Sequence, residues 1–302
     1  MKKQTLPGTK NKLIFYTLIM IFPVVQFIVF WIIVNFNSIM LSFKSYANVD
    51  GNYIESFVGL KNIFKVYRQI FTDEIFAPCL KNSFLFYGIS TLGGTVFSLS
   101  FSYYIYKKGY LGGFYKVMLF LPHIVSGMVI TVMYQYFADK GLPRIAESLS
   151  IDLVLFGDAP MAYIIFYNLV MSFGSNMLVY TGTMASISDS MIEAAQIDGV
   201  NVFQEFFHII MPAIFRTFAL FIVTGMIAIF SGQGNMFNFF GTGAPQEFWT
   251  FGYYLYIHVK DAGVDYTKLP YLAAFGLCLT FIAIPIIFSL RYLLNKFGPS
   301  AD

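Results

Sequence analysis

The sequence predicts an all-α, polytopic membrane protein of six transmembrane helices with a helix–Gly–helix loop on one aqueous face. Three observations predict it. Charged residues make up 12% of the 302-residue chain, about half the share of a soluble domain. Hydrophobic residues reach 57%, with 36 Phe, more than a water-facing surface can cover with polar groups. Six stretches are long and apolar enough to cross a hydrocarbon core about 30 Å thick, which takes about 20 residues at about 1.5 Å each. An ordinary soluble domain and a disordered chain are both excluded. A net charge of +3 gives no electrostatic footprint for nucleic acid.

The spans fall at roughly 13–35, 83–106, 112–137, 160–185, 213–231 and 270–294, within a single transmembrane domain covering 1–302. Strand-period alternation is absent, so these are helices, which satisfy their own backbone hydrogen bonds in lipid. Pro23, Pro122 and Pro285 lie inside spans and predict kinks. The first span is too long for a signal-peptide core and reads as a retained anchor. Lys2, Lys3, Lys10 and Lys12 precede it, Lys107, Lys108 and Lys116 flank the turn after the second span, and Arg291 and Lys296 end the chain. All fall on one side, so the positive-inside rule places both termini in the cytoplasm. Cys79 and Cys278 read as buried apolar side chains rather than a disulfide framework.

The spans hold none of the chemistry that would power transport. No Asp or Glu lies in the six core stretches, where an ion-coupled carrier places its relay. His123 is the only ionisable group well inside a span, and it suits a hydrogen bond to a neighbouring helix better than a proton relay. The three histidines are scattered, there is no metal-ligand cluster, and the G-x-x-x-x-G-K-[ST] phosphate loop is missing. The chain reads as a non-enzyme with no cofactor of its own. Any uphill movement of solute draws its power from a partner.

The connection 186–212 should be basic and is not. It carries Asp189, Glu193, Asp198 and Glu205, with no Lys or Arg before Arg216. Ser190 and Glu193 suit a capping box opening one short helix, and Gly199 is placed to end it in a left-handed conformation. Asn201 and Gln204 suit the cap of a second helix, whose Phe203, Phe206, Phe207 and Ile210 form an apolar stripe. Pro212 marks the return to the membrane. Spacing alone leaves two readings open: a hairpin packed on its own bundle, or a rigid docking element whose acidic groups face a basic groove.

The letters add more. Glu193-Ala194-Ala195-Gln196-Ile197-Asp198-Gly199, followed by Phe203, Phe207, Ile209 and Pro212, resembles the EAA loop of ABC-importer permeases, with Met211 where Leu is usual. Ser42-Phe43, Phe57-Val58-Gly59-Leu60-Lys61-Asn62, Phe120-Leu121-Pro122, Arg291 and Gly298-Pro299 extend the resemblance over nearly the whole chain, toward the carbohydrate (maltose-permease) class. The resemblance implies the type I importer permease fold in a bacterial or archaeal cell membrane. It implies pairing with a second homologous permease, two ATP-binding subunits that hold ATP and Mg, and an extracytoplasmic solute-binding protein that delivers a carbohydrate. By resemblance, Glu193, Ala194, Ala195, Asp198, Gly199, Phe203 and Pro212 form the contact through which the ATPases drive the spans. The alternative is a self-sufficient carrier or channel for a small polar solute.

Two outer segments are aromatic. Residues 57–71 read as an amphipathic helix with Leu60, Ile63, Phe64, Tyr67 and Phe71 on one face, either interfacial or a landing site for the binding protein. Phe248, Trp249, Phe251, Tyr253, Tyr254 and Tyr256 suit the membrane interface or the edge of a sugar pathway. The Gly241-Thr242-Gly243-Ala244-Pro245 run before them departs from the T-G-G-G-P common in the family. Sugars need aromatic faces and neutral hydrogen-bonding groups, which makes Ser172, Ser175, Asn176, Ser231, Gln233 and Asn235 pathway candidates. Interhelical hydrogen bonding is the competing use of each. Gly225, Ile229 and Gly232 stand where the maltose type carries serine and asparagines, so its sugar contacts do not transfer.

Overall fold

A computed structural model describes residues 9–148, 160–263 and 265–299. Its helices are α1 (Ile14–Ser42), α2 (Lys61–Thr72), α3 (Phe76–Tyr106), α4 (Gly112–His123), α5 (Gly127–Ile145), α6 (Pro160–Met184), α7 (Asp189–Ile197), α8 (Val202–Ser231), α9 (Met236–Phe240), α10 (Phe251–Ala262) and α11 (Tyr266–Phe297). Five of them, α1, α3, α6, α8 and α11, are long and apolar enough to cross a bilayer, and α4 with α5 makes a sixth if that bent pair is one span. Two compact units are present, one of residues 9–69 with 258–278, the other of 70–257 with 279–299.

The third apolar stretch is not the single kinked helix expected over 112–137. α4 and α5 meet at 102°. Pro122 sits in a tight 3-10 turn, Leu121–His123, where its missing N–H and fixed φ end the preceding helix. His123, in that turn, places Nε2 2.7 Å from the Met171 carbonyl of α6. A carbonyl only accepts, so Nε2 carries the proton and donates, and the histidine pins the break to the bundle as expected.

In the first unit, α1 is exposed as far as Ile39 and becomes buried at its end, at Ser42, as a lipid-facing or partner-facing helix anchored at one end would be. It ends in strands the sequence reading did not foresee: β1 (Lys44–Val49) and β2 (Asn52–Phe57) form an antiparallel hairpin with Lys44 opposite Phe57 and Val49 opposite Asn52. Asp50 and Gly51 turn it with φ of 52° and 82°, the paired positive φ of a type I′ turn. The Phe57–Asn62 string ties the hairpin down. Val58 and Gly59 amides donate to the Phe43 carbonyl at 2.9 and 3.1 Å, and Asn62 Nδ2 donates to the Ser42 and Lys44 carbonyls at 3.1 and 2.7 Å. α2 starts at Lys61, later than expected, and its buried residue is Val66. Leu60, Phe64, Tyr67 and Phe71 are exposed, a row suited to the interface.

In the second unit the principal contact is between α3 and α6, and its chemistry lies in small residues. Ser90, Gly94, Ser98 and Ser102 recur every fourth residue of α3 and form one close-packed seam. Ser98 Oγ donates to the Phe173 carbonyl at 3.0 Å, and Ser102 Oγ to the Met177 carbonyl at 2.8 Å. A Cβ on Gly94 would overlap Ser172 Oγ and lie 3.2 Å from Ser172 Cβ. Only glycine permits that approach.

Candidate functional site

The loop 186–212 folds as a helix–Gly–helix element, with two departures from expectation. Ser188, not Ser190, stands at the N-cap of α7, in extended conformation (ψ 133°). Ser190 is therefore already inside the first turn, its hydroxyl 3.4 Å from that of Ser188, and the Ser190–Glu193 capping box does not form. The C-terminus is as expected. Gly199 has φ +74° with no atom within 4 Å of a built Cβ, Val200 N–H donates to the Ala195 carbonyl at 3.1 Å, and Gly199 N–H donates to that of Gln196 at 3.1 Å. That pair of bonds is the Schellman closure, which satisfies carbonyls the helix leaves open.

Asn201 and Gln204 form the expected capping box, each side chain accepting from the other's backbone N–H at 2.9 and 3.0 Å. The second departure follows. Pro212 does not separate this helix from the fifth span, because α8 runs unbroken from Val202 to Ser231. A π turn at Phe206–Ile210 lies immediately before the proline, with Met211 N–H donating to the Phe206 carbonyl. The wider turn takes up a residue that cannot donate to the carbonyl four positions back.

Burial divides the element in two. Ile192 of α7 packs with Leu99, Tyr180, Met184, Ile210 and Ile214 in one apolar cluster, and Ala195, one turn on, is 7% exposed. Ala195 is thus buried, while Glu193, Ala194, Asp198 and Gly199 face outward. The stripe on α8 divides likewise. Phe206 and Ile210 turn inward, and Phe203 and Phe207 are 76% and 61% exposed beside Ile197 at 86%. The outer surface thus offers acidic groups around bare aromatic and aliphatic side chains. Glu205 is not among them. It is 4% exposed and bound by Lys107 and Tyr103, a partnership sequence reasoning missed because the lysine lies 98 residues away.

The pathway candidates do not converge. Ser172 Oγ donates across the seam to the Ser90 carbonyl at 3.1 Å, Ser231 Oγ lies 3.3 Å from the Ile227 carbonyl of its own helix, and Asn235 Nδ2 donates to Asn168 Oδ1 at 2.7 Å. Ser175 and Asn176 are left on an outer face of α6, and Gln233 is half-buried in the turn after α8. The aromatic segment also departs from expectation. Trp249, Phe251, Tyr253 and Tyr254 are buried, and two of them fasten the Gly241–Pro245 turn through their polar tips. Trp249 Nε1 donates to the Ala244 carbonyl at 2.8 Å, and Tyr253 OH donates to that of Gly241 at 2.9 Å. Among the described residues no cluster of His, Cys, Asp or Glu could hold a metal ion.

A lipid-soluble helical bundle with an outward-facing helix–Gly–helix element defines the membrane-spanning class of transport subunit. The chain belongs to the family of binding-protein-dependent transport system inner membrane components, whose profile matches residues 90–301. It is 28% identical over 215 residues to the probable ABC transporter permease protein YurN of Bacillus subtilis, covering 67% of this chain and 70% of that protein. It is 23% identical over 282 residues to the multiple sugar-binding transport system permease protein MsmF of Streptococcus mutans, covering 92% and 93%. Its fold matches a chain of a bacterial alginate ABC transporter, solved with an alginate pentasaccharide-bound periplasmic protein, at a TM-score of 0.73 and 18% identity over 96% of this chain and 97% of that one.

Proposed function

We propose that this chain is one of two permeases in an ATP-driven importer, and that its cargo is a carbohydrate handed over by an extracytoplasmic binding protein. Its termini lie in the cytoplasm, its two compact units serve one permease domain, and ATP and Mg are held by two separate ATPase subunits. The observation that carries this reading is the division of the 186–212 element. One face is bolted to the bundle through Ile192 and Ile210, and the other presents Glu193, Ala194, Asp198 and Phe203 as exposed side chains among the described residues. A rigid element of that kind can convert a push by an ATPase into movement of the spans. The sugar-transport names of MsmF and the alginate transporter support the cargo class. Ser175, Asn176 and Gln233 remain the pathway candidates with uncommitted side chains.

The test is uptake by the reconstituted complex. Gly199→Asp makes no clash with the bundle, because a Cβ there meets nothing within 4 Å, and its strain falls on the turn itself at φ +74°. Membrane insertion should therefore persist while ATP-dependent sugar uptake is lost. Normal uptake in that variant would exclude a coupling role for the turn.

A further inference from the structure

Of the four carboxylates in the 186–212 loop, Asp189, Glu193 and Asp198 are exposed and Glu205 is buried. Both oxygens of Glu205 are held by Lys107 Nζ, at 3.0 and 3.1 Å, and Tyr103 OH donates to Oε1 at 3.1 Å. Lys107 is the residue that caps the end of α3, Tyr103 is one turn earlier, and Glu205 is in the first turn of α8. The Tyr103 ring also meets Phe206 edge-on at 5.3 Å. The last turn of the second span therefore grips the first turn of the helix that becomes the fifth.

An apolar contact would hold these turns together as well, since burying Glu205 beside a lysine that stays open to solvent is a poor way to gain stability. What it supplies is register. Apolar side chains in the surrounding cluster can exchange neighbours at small displacements, whereas Glu205, 4% exposed, would leave a buried charge without partners if α3 did not carry Lys107 and Tyr103 along with it. We infer that Lys107, Glu205 and Tyr103 form a clasp that makes α3 follow the coupling element, so that ATP-driven movement reaches the second span as well as the fifth. This rests on the importer reading above. Glu205 and Lys107 are positioning residues; neither touches solute or nucleotide.

The experiment measures sugar imported per ATP hydrolysed by the reconstituted four-subunit importer with its binding protein. Glu205→Gln and Lys107→Met should each lower that ratio about fivefold or more, the range of a typical coupling free energy, with ATP hydrolysis retained. Lys107→Arg should preserve the ratio, and the double variant should be no worse than the worse single one, because the two residues act as one unit. A merely structural role would lower uptake and hydrolysis together through fewer assembled complexes and leave the ratio unchanged, which overturns the inference. If Glu205→Gln does not assemble, Tyr103→Phe keeps the ring and removes one bond, and an unchanged ratio there overturns it equally. A wild-type complex without ATP-dependent uptake overturns the importer reading itself, an outcome distinct from transport at an unaltered ratio.

Discussion

Gly94→Ala is the smallest change that tests the seam between α3 and α6. In an open helix it would stabilise by about 1 kcal/mol, since glycine is the costlier helix residue. Here the new methyl overlaps Ser172 Oγ and comes within 3.2 Å of Ser172 Cβ. Overpacking of one methyl in a close-packed interior costs about 1–3 kcal/mol. If Ser172 rotates away, it forfeits its bond to the Ser90 carbonyl, worth about 0.6 kcal/mol for an interhelical bond in a membrane protein. The net is destabilisation by about 0.6–2.6 kcal/mol, opposite in sign to the propensity effect. The assay is the thermal midpoint of the purified protein in detergent, for Gly94→Ala, Ser172→Ala and the pair. Ser172→Ala removes the clashing oxygen, so the double variant should be less damaged than the sum of the singles. A Gly94→Ala protein as stable as wild type, or strictly additive singles, would refute the close-approach argument.

Three further outcomes are expected. Asn201→Ala removes the capping box and should cost about 1 kcal/mol, read as faster hydrogen exchange at 201–206 with the Gly199 turn unaffected. Gly51→Val places a β-branched residue at φ 82° with no neighbour within 4 Å, so the penalty is backbone strain of about 1–2 kcal/mol; exchange should rise across β1 and β2 while the global midpoint holds. The Lys44–Glu55 pair at 2.7 Å gives the same hairpin a pH window. The hydrogen bond from Lys44 holds the Glu55 carboxyl below its usual value, and the same bond raises Lys44. The Glu55 contribution is present above the ordinary carboxylate range and lost as pH falls through the depressed value. The Lys44 contribution is lost as pH rises through the raised one. Hairpin protection, corrected for intrinsic exchange, should be flat from about pH 5 to pH 10 and fall only outside it.

What was legible in the sequence follows a physical boundary. Apolar runs, Gly199 and the Asn201–Gln204 box are local signals whose meaning needs only a few neighbours, and each appears in the fold. The hairpin was missed because neither face is fully buried, only residues 44–46 being half-buried, so it carries no period-2 apolar pattern; Asp50-Gly51 was the available signal. The α3 seam was missed because serines read one at a time are neutral, and their four-residue spacing gains meaning only against α6. Ala195 was read as facing a partner because composition does not say which side of a helix an alanine occupies. Glu205 was counted among the exposed acids because its lysine is remote in sequence. Ser172 and Asn235, pathway candidates by residue type, make hydrogen bonds to neighbouring elements, the commoner use of polar side chains in lipid.

The angle between α4 and α5 sets a requirement on whatever surrounds this chain. Helix α5 begins at Gly127, and the first few amides of any helix have no partner within it. Here they open next to Ile124 and Met128, 69% and 51% exposed, in sequence that is apolar on both sides. Acyl chains offer those amides nothing to bond, and a bare peptide group in hydrocarbon costs several kcal/mol. At hydrocarbon depth the corner would be intolerable against lipid alone. Wherever it lies within the bilayer, water or polypeptide must cover it, so the chain's own backbone restricts what can surround this turn.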